Sequence, residues 1–464
     1  MEKMFEKPIV NLEATLMNRE HKRLGSEEIS VYGALGCFEE KTPLDLFLED
    51  EEKLASGEVT VEGLEKKKDR IFNETSGRGH GSVLDQSRFT FVIEDLPRIV
   101  TLQLCLPQYL DHLQQSLRRA KADRGFYLPQ SIKNSRLFDK TVSILNKTFS
   151  LYKEMCDAKI PGEDARFILP LYTKTNIQTT GDARELMHLH YMSRQDHIPS
   201  IIKETIEEMI NKLKEYSSNL FKERATNYEV LAWYPSSQLF AMSNKTLENL
   251  IEKKGRENIA LVDNSGIKIS EEELDRAVKY RNEEELANLK HIHFTFLAPM
   301  SLACFHQATR QRTWDQSIEP IYNAIKRKNI VIPPSIMKNE LYKDKYIDHN
   351  LRMIDLFNEL LKDVPAKEAI GVIPHSQRVY DLIHINGWNA IHSIGKRTCN
   401  EAQWEIRNIA KGMATIIKEK SPVLGKYTEP QGIIYGRCPE KNSCGYCEAK
   451  MGGTLEELHR TERM

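Results

Sequence analysis

Neither sign of charge predominates in this chain of 464 residues, where 66 Lys and Arg stand against 67 Asp and Glu. That balance removes any global electrostatic case for nucleic acid or an anionic membrane surface, and leaves room only for a local basic pocket. Long apolar runs are missing as well, and none approaches the ~18 residues that a bilayer-spanning helix needs. The opening MEKMFEKPIV has no apolar core of the secretory kind. Eight cysteines in so long a chain do not make a disulfide framework. Low-complexity stretches and flexible linkers are also lacking. The expectation is a reduced, cytoplasmic protein with no membrane or nucleic-acid partner. What is present is enough apolar sequence for a large core, 40% of residues beside 29% charged, and at roughly 100–200 residues per domain a length for two to four domains.

Repetition is the most informative positive feature. Phe89-Thr90-Phe91 returns as Phe294-Thr295-Phe296, 205 residues later. Gln103 returns as Gln307, Pro129 as Pro333, and Ala165–Pro170 as Ala369–Pro374, each 204 residues on. His188 and His392 keep that offset, as do Asp182 and Asn386. Short matches that drift by one residue over such a span indicate a tandem duplication with diverged halves.

Each half reads alike. Charged helical patterns such as VEGLEKKKDRIFNET and SEEELDRAVKYRNEEELANL come first. A β-branched and aromatic strand follows, RFTFVIEDL or HIHFTFLAP. Next come a helix, a Pro-punctuated loop at Tyr127–Pro129 or Ile332–Pro334, a further helical pattern leading to the ILP or VIP segment, and long amphipathic helices. Helices interleaved with a sheet predict an α+β fold. The expected organisation is a first repeat over 1–218, a second over 219–435 with a strand opening at Tyr228–Tyr234, and a Cys-containing tail over 436–464. Two such repeats are expected to pack as a pseudo-symmetric pair.

The sharpest chemical cluster is Gln307-Ala-Thr-Arg310-Gln311-Arg312-Thr-Trp. Guanidinium forks match phosphate or carboxylate, and this cluster follows an apolar run, Leu302–Phe305, that reads as buried. The first half has no arginine there, but further on stands Gln114-Gln-Ser116-Leu-Arg118. Amide, hydroxyl and guanidinium in that pattern suit a nucleotide base edge and its phosphate. The second half carries Ile318, Pro320 and Tyr322 at those places, so each half lacks what the other keeps.

These residues resemble a known family, the flavin-dependent thymidylate synthases, present twice in one chain. The family motif is R-H-R, then S-x-R, an A-R-x-x-L-P segment and an A-Q-W-E-I-R helix. Here RQR is Arg310–Arg312, S-x-R is Ser116–Arg118 of the other half, A-R-x-x-L-P is Ala165–Pro170, and AQWEIR is Ala402–Arg407. Gly79-His80-Gly-Ser82-Val-Leu-Asp85 is similar to the family's upstream G-H-x-S/T-x-x-E. The likeness covers most of residues 75–200 and 290–410. It implies one dUMP site per chain, drawn from Gln307, Arg310 and Arg397 of one half and Gln114, Ser116, Arg118 and Arg166 of the other. The mirror set is broken at Leu106, Ser193, Pro320, Tyr322 and Ile370.

The resemblance also implies a reaction, reductive methylation of dUMP at C5, with methylenetetrahydrofolate giving the carbon, FAD the hydride and NADPH the electrons. Arg397 would be the catalytic residue beside the uracil. FAD contacts would come from Arg310, Gln311, Arg312, Asn386 and His392, and from His80, Ser82, Arg184 and His188. Departures from the pattern are Gln311 for the middle His, Asp182 for an Asn, and Trp388 for an Arg. A homodimer of tandem chains would replace the family's tetramer. C5 modification of another pyrimidine nucleotide, or a non-catalytic nucleotide binder, stay open as alternatives.

Outside the likeness lies Cys438-x5-Cys444-x2-Cys447, a pattern open to structural zinc completed by Cys399 or His459, to surface thiols, or to a redox pair. The remaining residues read as scaffold: Cys105 and Cys304, Met187 and Met192 as core, His188, His190 and His197 as packed, and Glu207-Glu208 with Lys212 and Lys214 as a solvated face.

Overall fold

Strands form where β-branched and aromatic residues alternate with polar ones. In β2 (Phe89–Pro97) Phe89, Phe91 and Ile93 are buried while Thr90 and Val92 are half-buried, the period of two that a sheet imposes. In the computed structural model, which describes residues 2–224, 232, 234–441 and 443–451, β2 lies in a four-stranded antiparallel sheet. Its neighbours are β1 (Ile9–Thr15) and β4 (Lys174–Gly181), with β3 (Asp111–Gln114) on the far edge, in the order β1-β2-β4-β3. A second sheet repeats the plan as β5 (Ala260–Gly266), β6 (Ile292–Ser301), β8 (Arg378–Asn386) and β7 (Asp315–Ile318). The duplicated α+β architecture read from the sequence is therefore the architecture observed. Most of the strand expected at Tyr228–Tyr234 lies outside the described residues. The charged helix expected from Glu271 is two helices, Glu271–Tyr280 and Glu283–Asn288, because Arg281 turns left-handed between them.

The drift in the repeat offset has a structural cause. β2 carries an extra residue between Ile93 and Leu96, where its register with β4 shifts, whereas β6 pairs with β8 without interruption. Asp95 absorbs the bulge at a φ of 51°. Its backbone N–H donates to Asn176 Oδ1 at 3.0 Å and its carboxylate pairs with Arg124 at 2.8 Å. Asp tolerates that backbone better than most residues.

The chain forms two compact units. The first comprises Met1–Ser236 with Pro333–Pro374, so it includes part of the second repeat. Its long helices Phe138–Asp157 and Glu340–Leu360 are repeat equivalents and pack together, with Thr148 Oγ1 2.7 Å from His349 Nε2. Pro170 bridges to its own equivalent, Pro374. Beside it Tyr172 lies over the backbone of Gly371, where a Cβ would come within 2.2 Å of the ring, and its hydroxyl donates to the Glu368 carbonyl at 2.6 Å. The second unit comprises Ser237–Ile332 with His375–Met464. There the Trp404–Lys420 helix packs on β6 and on the Leu302–Ala308 helix.

Asp381 of β8 is fully buried, and burial holds its carboxyl well above the ordinary range. Ile177 has the equivalent place in the first repeat. A carboxyl raised in the folded state carries no penalty below its unfolded value, and the penalty grows as pH rises through that value. Asp381→Ile is therefore expected to raise the unfolding temperature more at about pH 8 than at about pH 5. Equal gains at both pH values, read by thermal unfolding, would show that the charge is not what burial opposes.

Candidate functional site

In the second unit the arginine cluster begins where the Leu302–Ala308 helix ends. That helix is held at its start by Glu405, whose buried carboxylate accepts from Ser301 N–H at 2.7 Å and Ser301 Oγ at 2.6 Å. Charge-assisted bonds of this kind contribute about 1.5–3 kcal/mol each. Glu405 belongs to the AQWEIR segment, and Gln403 of the same segment caps the Trp404–Lys420 helix, accepting from Glu405 N–H and Ile406 N–H. Arg407 donates to the Asn400 carbonyl at 2.6 Å. The segment thus acts as a brace beneath Gln307, which is half-buried in the last turn of its helix.

The RQRTW turn is tied to the helix Gly387–Arg397, which Asn386 caps through the Asn389 N–H. Thr313 Oγ1 donates to Asn389 Oδ1 at 2.6 Å while Asn389 Nδ2 donates to the Thr313 carbonyl at 2.9 Å. Trp314 Nε1 donates to Ser393 Oγ at 2.7 Å. With its amide oxygen assigned toward the guanidinium, Gln311 accepts from Arg397 Nε at 2.7 Å and Nη2 at 2.5 Å. Arg397 is half-buried; Arg310 and Arg312 are exposed. Gln311, expected at the flavin, is therefore first of all the orienting partner of Arg397. His392 stacks on Trp388 with ring centroids 5.3 Å apart, and burial lowers its pKa.

The first unit brings together Gln114, Ser116, Arg118 and Arg166. Arg118 Nε donates to Glu163 Oε2 at 2.7 Å, and Arg166, on the turn Arg166–Ile168, donates from Nε to the Glu163 carbonyl at 3.1 Å. Arg166 is buried; Arg118 is half-buried. The Arg118 N–H donates to Ser116 Oγ at 3.3 Å, and Gln114, at the end of β3, donates from Nε2 to Thr101 Oγ1 at 3.0 Å. Guanidinium, hydroxyl and amide groups gathered this way can recognise an anion and a polar ring edge.

Elsewhere in that unit, Asp182 caps the helix Ala183–Ser193, which carries Arg184 and His188. The Arg184 guanidinium lies over Gly81, where a Cβ would come within 2.6 Å of it, and pairs with Asp85 at 3.3 Å. His80 and Ser82 flank that glycine and are exposed. His188 is buried, with no partner on Nδ1 among the described residues, and burial lowers its pKa. A cation, an orphaned ring nitrogen and exposed polar groups on one segment form a donor set that fits a phosphate-bearing cofactor.

The cysteines read as core, Cys105 and Cys304, are buried. Cys438, Cys444 and Cys447 gather near Cys399: Cys447 Sγ and Cys438 Cα both border Gly432, and burial, then Cys444 and Cys438, raises the Cys399 thiol pKa. Among the described residues, no group of three or more His, Cys, Asp or Glu side chains is placed to hold a metal, and His459 lies outside them. Among the described residues, no helix is long and apolar enough to cross a membrane.

The family model described as thymidylate synthase complementing protein matches residues 22–217 and again 238–423. The chain belongs to that family. Its family domain occurs twice, as the repeat offset implied. Among curated proteins it is similar to the flavin-dependent thymidylate synthases of Pyrococcus furiosus (34% identity, 33% of this chain and 64% of that protein) and Geobacter sulfurreducens (31%, 34% and 70%). With that of Thermococcus onnurineus the identity is 37% over 24% of this chain and 48% of the relative. The match thus spans between about half and two thirds of the first relatives' lengths. A solved UMP/dUMP methylase, PolB from Streptomyces cacaoi bound with 5-Br dUMP, is 16% identical over 47% of this chain and 94% of that one, with a TM-score of 0.36.

Three contributors were not singled out from sequence. Glu163, Thr101 and Asn389 hold candidate residues in place, and only Glu163, three residues before Arg166, had a positional hint. Asn389→Ala removes both bonds to Thr313 and is expected to destabilise the second unit by about 1–3 kcal/mol. It should also speed tryptic cleavage after Arg310 and Arg312, read by mass spectrometry; an unchanged cleavage rate would show that Asn389 does not hold the turn.

Proposed function

We propose that the chain is a flavin-dependent thymidylate synthase, converting dUMP to dTMP with methylenetetrahydrofolate and NADPH and working in the cytoplasm as a homodimer. Its nucleotide site would take groups from both repeats, once per chain: Gln307, Arg310 and Arg397 from one, Gln114, Ser116, Arg118 and Arg166 from the other. The observation that supports this most is the two-pronged bond that Arg397 donates to the Gln311 amide oxygen, which orients a half-buried cation and itself adds no opposing formal charge.

Each residue has a part that follows from its chemistry. Arg118, Arg166 and Arg310 would hold the phosphate, with Ser116 Oγ donating to it. Gln114, braced by Thr101, and Gln307 would meet polar edges of the nucleoside. Arg397 would stand where negative charge develops on the uracil during attack from C5, the role of a preorganised cation in a site shielded from water. FAD would be held by Arg184, His188, His80 and Ser82 in one unit, and by Arg310, Gln311, Arg312, Asn386 and His392 in the other. When bound and reduced it supplies the hydride. Cys105 and Cys304 have no part in this scheme, since both are buried in apolar helix sequence.

Tritium release from [5-³H]dUMP, with methylenetetrahydrofolate, NADPH and FAD, tests the reading. Release by the native chain should fall about 10²–10³-fold in Arg397→Ala. Arg118→Ala should chiefly raise KM, by about 10–100-fold. No release from a flavin-loaded chain that binds dUMP would sink the proposed reaction and turn attention to another nucleotide or carbon donor.

A further inference from the structure

One guanidinium in the first unit has no part in what has been assigned so far. Arg98 opens the helix Arg98–Leu104 and is only 4% exposed. Among the described residues its Nε and Nη1 have no hydrogen-bond partner. Burial, and then the neighbouring cation Arg166, push its pKa down to about 9, against a smaller opposing pull from the Cys105 thiol. A guanidinium cannot meet this by losing its proton near neutral pH, so a buried one requires an anion.

The surroundings say what kind. Arg98 lies on the helix that braces Gln114: the Thr101 hydroxyl that accepts from Gln114 Nε2 itself donates to the Arg98 carbonyl at 2.8 Å. Arg166, the cation whose charge acts on Arg98, has its Nε bound to the main chain of Glu163, while the Glu163 carboxylate is taken by Arg118. Gln103, five residues along the same helix, is fully buried, and among the described residues its amide oxygen and nitrogen both lack partners. In the second repeat Leu302 stands in place of Arg98, just as Ile370 stands in place of Arg166. The extra cation therefore occurs in the same half that keeps Ser116, Arg118 and Arg166.

We propose that Arg98 is a further substrate-binding residue of this chain, which together with Arg166 receives a phosphate monoester dianion. This rests on the nucleotide reading above for the identity of the monoester, but not for its charge. Two neighbouring guanidiniums, of which one has no carboxylate among the described residues, suit a doubly charged, tetrahedral anion better than a single carboxylate, because several oxygens can be shared between the two forks.

The test compares the native chain with Arg98→Leu, the residue found at the equivalent place, and with Arg98→Gln in case the leucine variant does not fold. Calorimetric titration with dUMP, UMP, deoxyuridine and inorganic phosphate is combined with the unfolding temperature without ligand. Loss of Arg98 should weaken dUMP binding about 10–100-fold. Deoxyuridine binding should not change, and the unliganded protein should be no less stable, since a buried unpaired charge has gone. Unchanged dUMP binding with a lowered unfolding temperature would overturn the proposal and make Arg98 a structural group. If the native chain binds UMP or inorganic phosphate but not dUMP, and the variants lose that binding, Arg98 keeps its role while the thymidylate reading fails.

Discussion

A guanidinium taken out of water must meet an anion or an acceptor, and the candidate residues of this chain are arranged by how that demand is met. Arg118 meets it in part with Glu163, Arg166 in part with the main chain of the same residue, and Arg397 in part with the amide of Gln311. These solutions differ in consequence. A carboxylate cancels charge as it orients, whereas an amide oxygen orients and adds no opposing formal charge. Arg397 is thereby suited to act on charge that develops later, and the Arg118 pair to exchange or share its partner with an incoming anion. Among the described residues the Nε and Nη1 of Arg98 have neither kind of partner, which makes it the least satisfied cation of the group.

Duplication explains why such a demand could be met unevenly. Two copies of one fold relax selection on each copy of the site, and the repeats have diverged in opposite directions. Where the first keeps Gln114, Ser116 and Arg118, the second has Ile318, Pro320 and Tyr322, all buried. The apolar replacements Ile318 and Pro320 remove a polar group and the obligation to satisfy it together, a change that can be nearly neutral for stability. Ser193, at the place of Arg397, is buried and donates to the His190 carbonyl within its own helix. Gln103 shows the other outcome: its equivalent Gln307 stands beside the arginine turn, while Gln103 itself is fully buried with an amide unsatisfied among the described residues.

Some of the family's sequence marks turn out to be structural braces. Glu405 and Gln403 never leave the scaffold; they hold two helix starts, one of which leads to Gln307. Thr313 and Trp314 play the same part for the arginine turn by reaching Asn389 and Ser393. Site residues on turns need support of this kind, because a turn by itself does not hold a side chain to within the distances that recognition requires.

The sequence by itself determined the duplication, the α+β class, the strands β2 and β6, and the division of candidate residues between the two halves. These follow from local pattern: alternation for a strand, a constant offset for a repeat, and residue type for an anion site. Tertiary structure alone decided that part of the second repeat belongs to the first compact unit, that a bulge at Asp95 causes the one-residue drift, and that Gln311 holds Arg397. It alone decided, too, that Arg98 is buried with two guanidinium nitrogens unpartnered among the described residues, since in sequence it is one arginine after a strand. The reason is physical. Burial and hydrogen-bond satisfaction depend on which distant segments fold over a residue, and the local pattern carries no record of that.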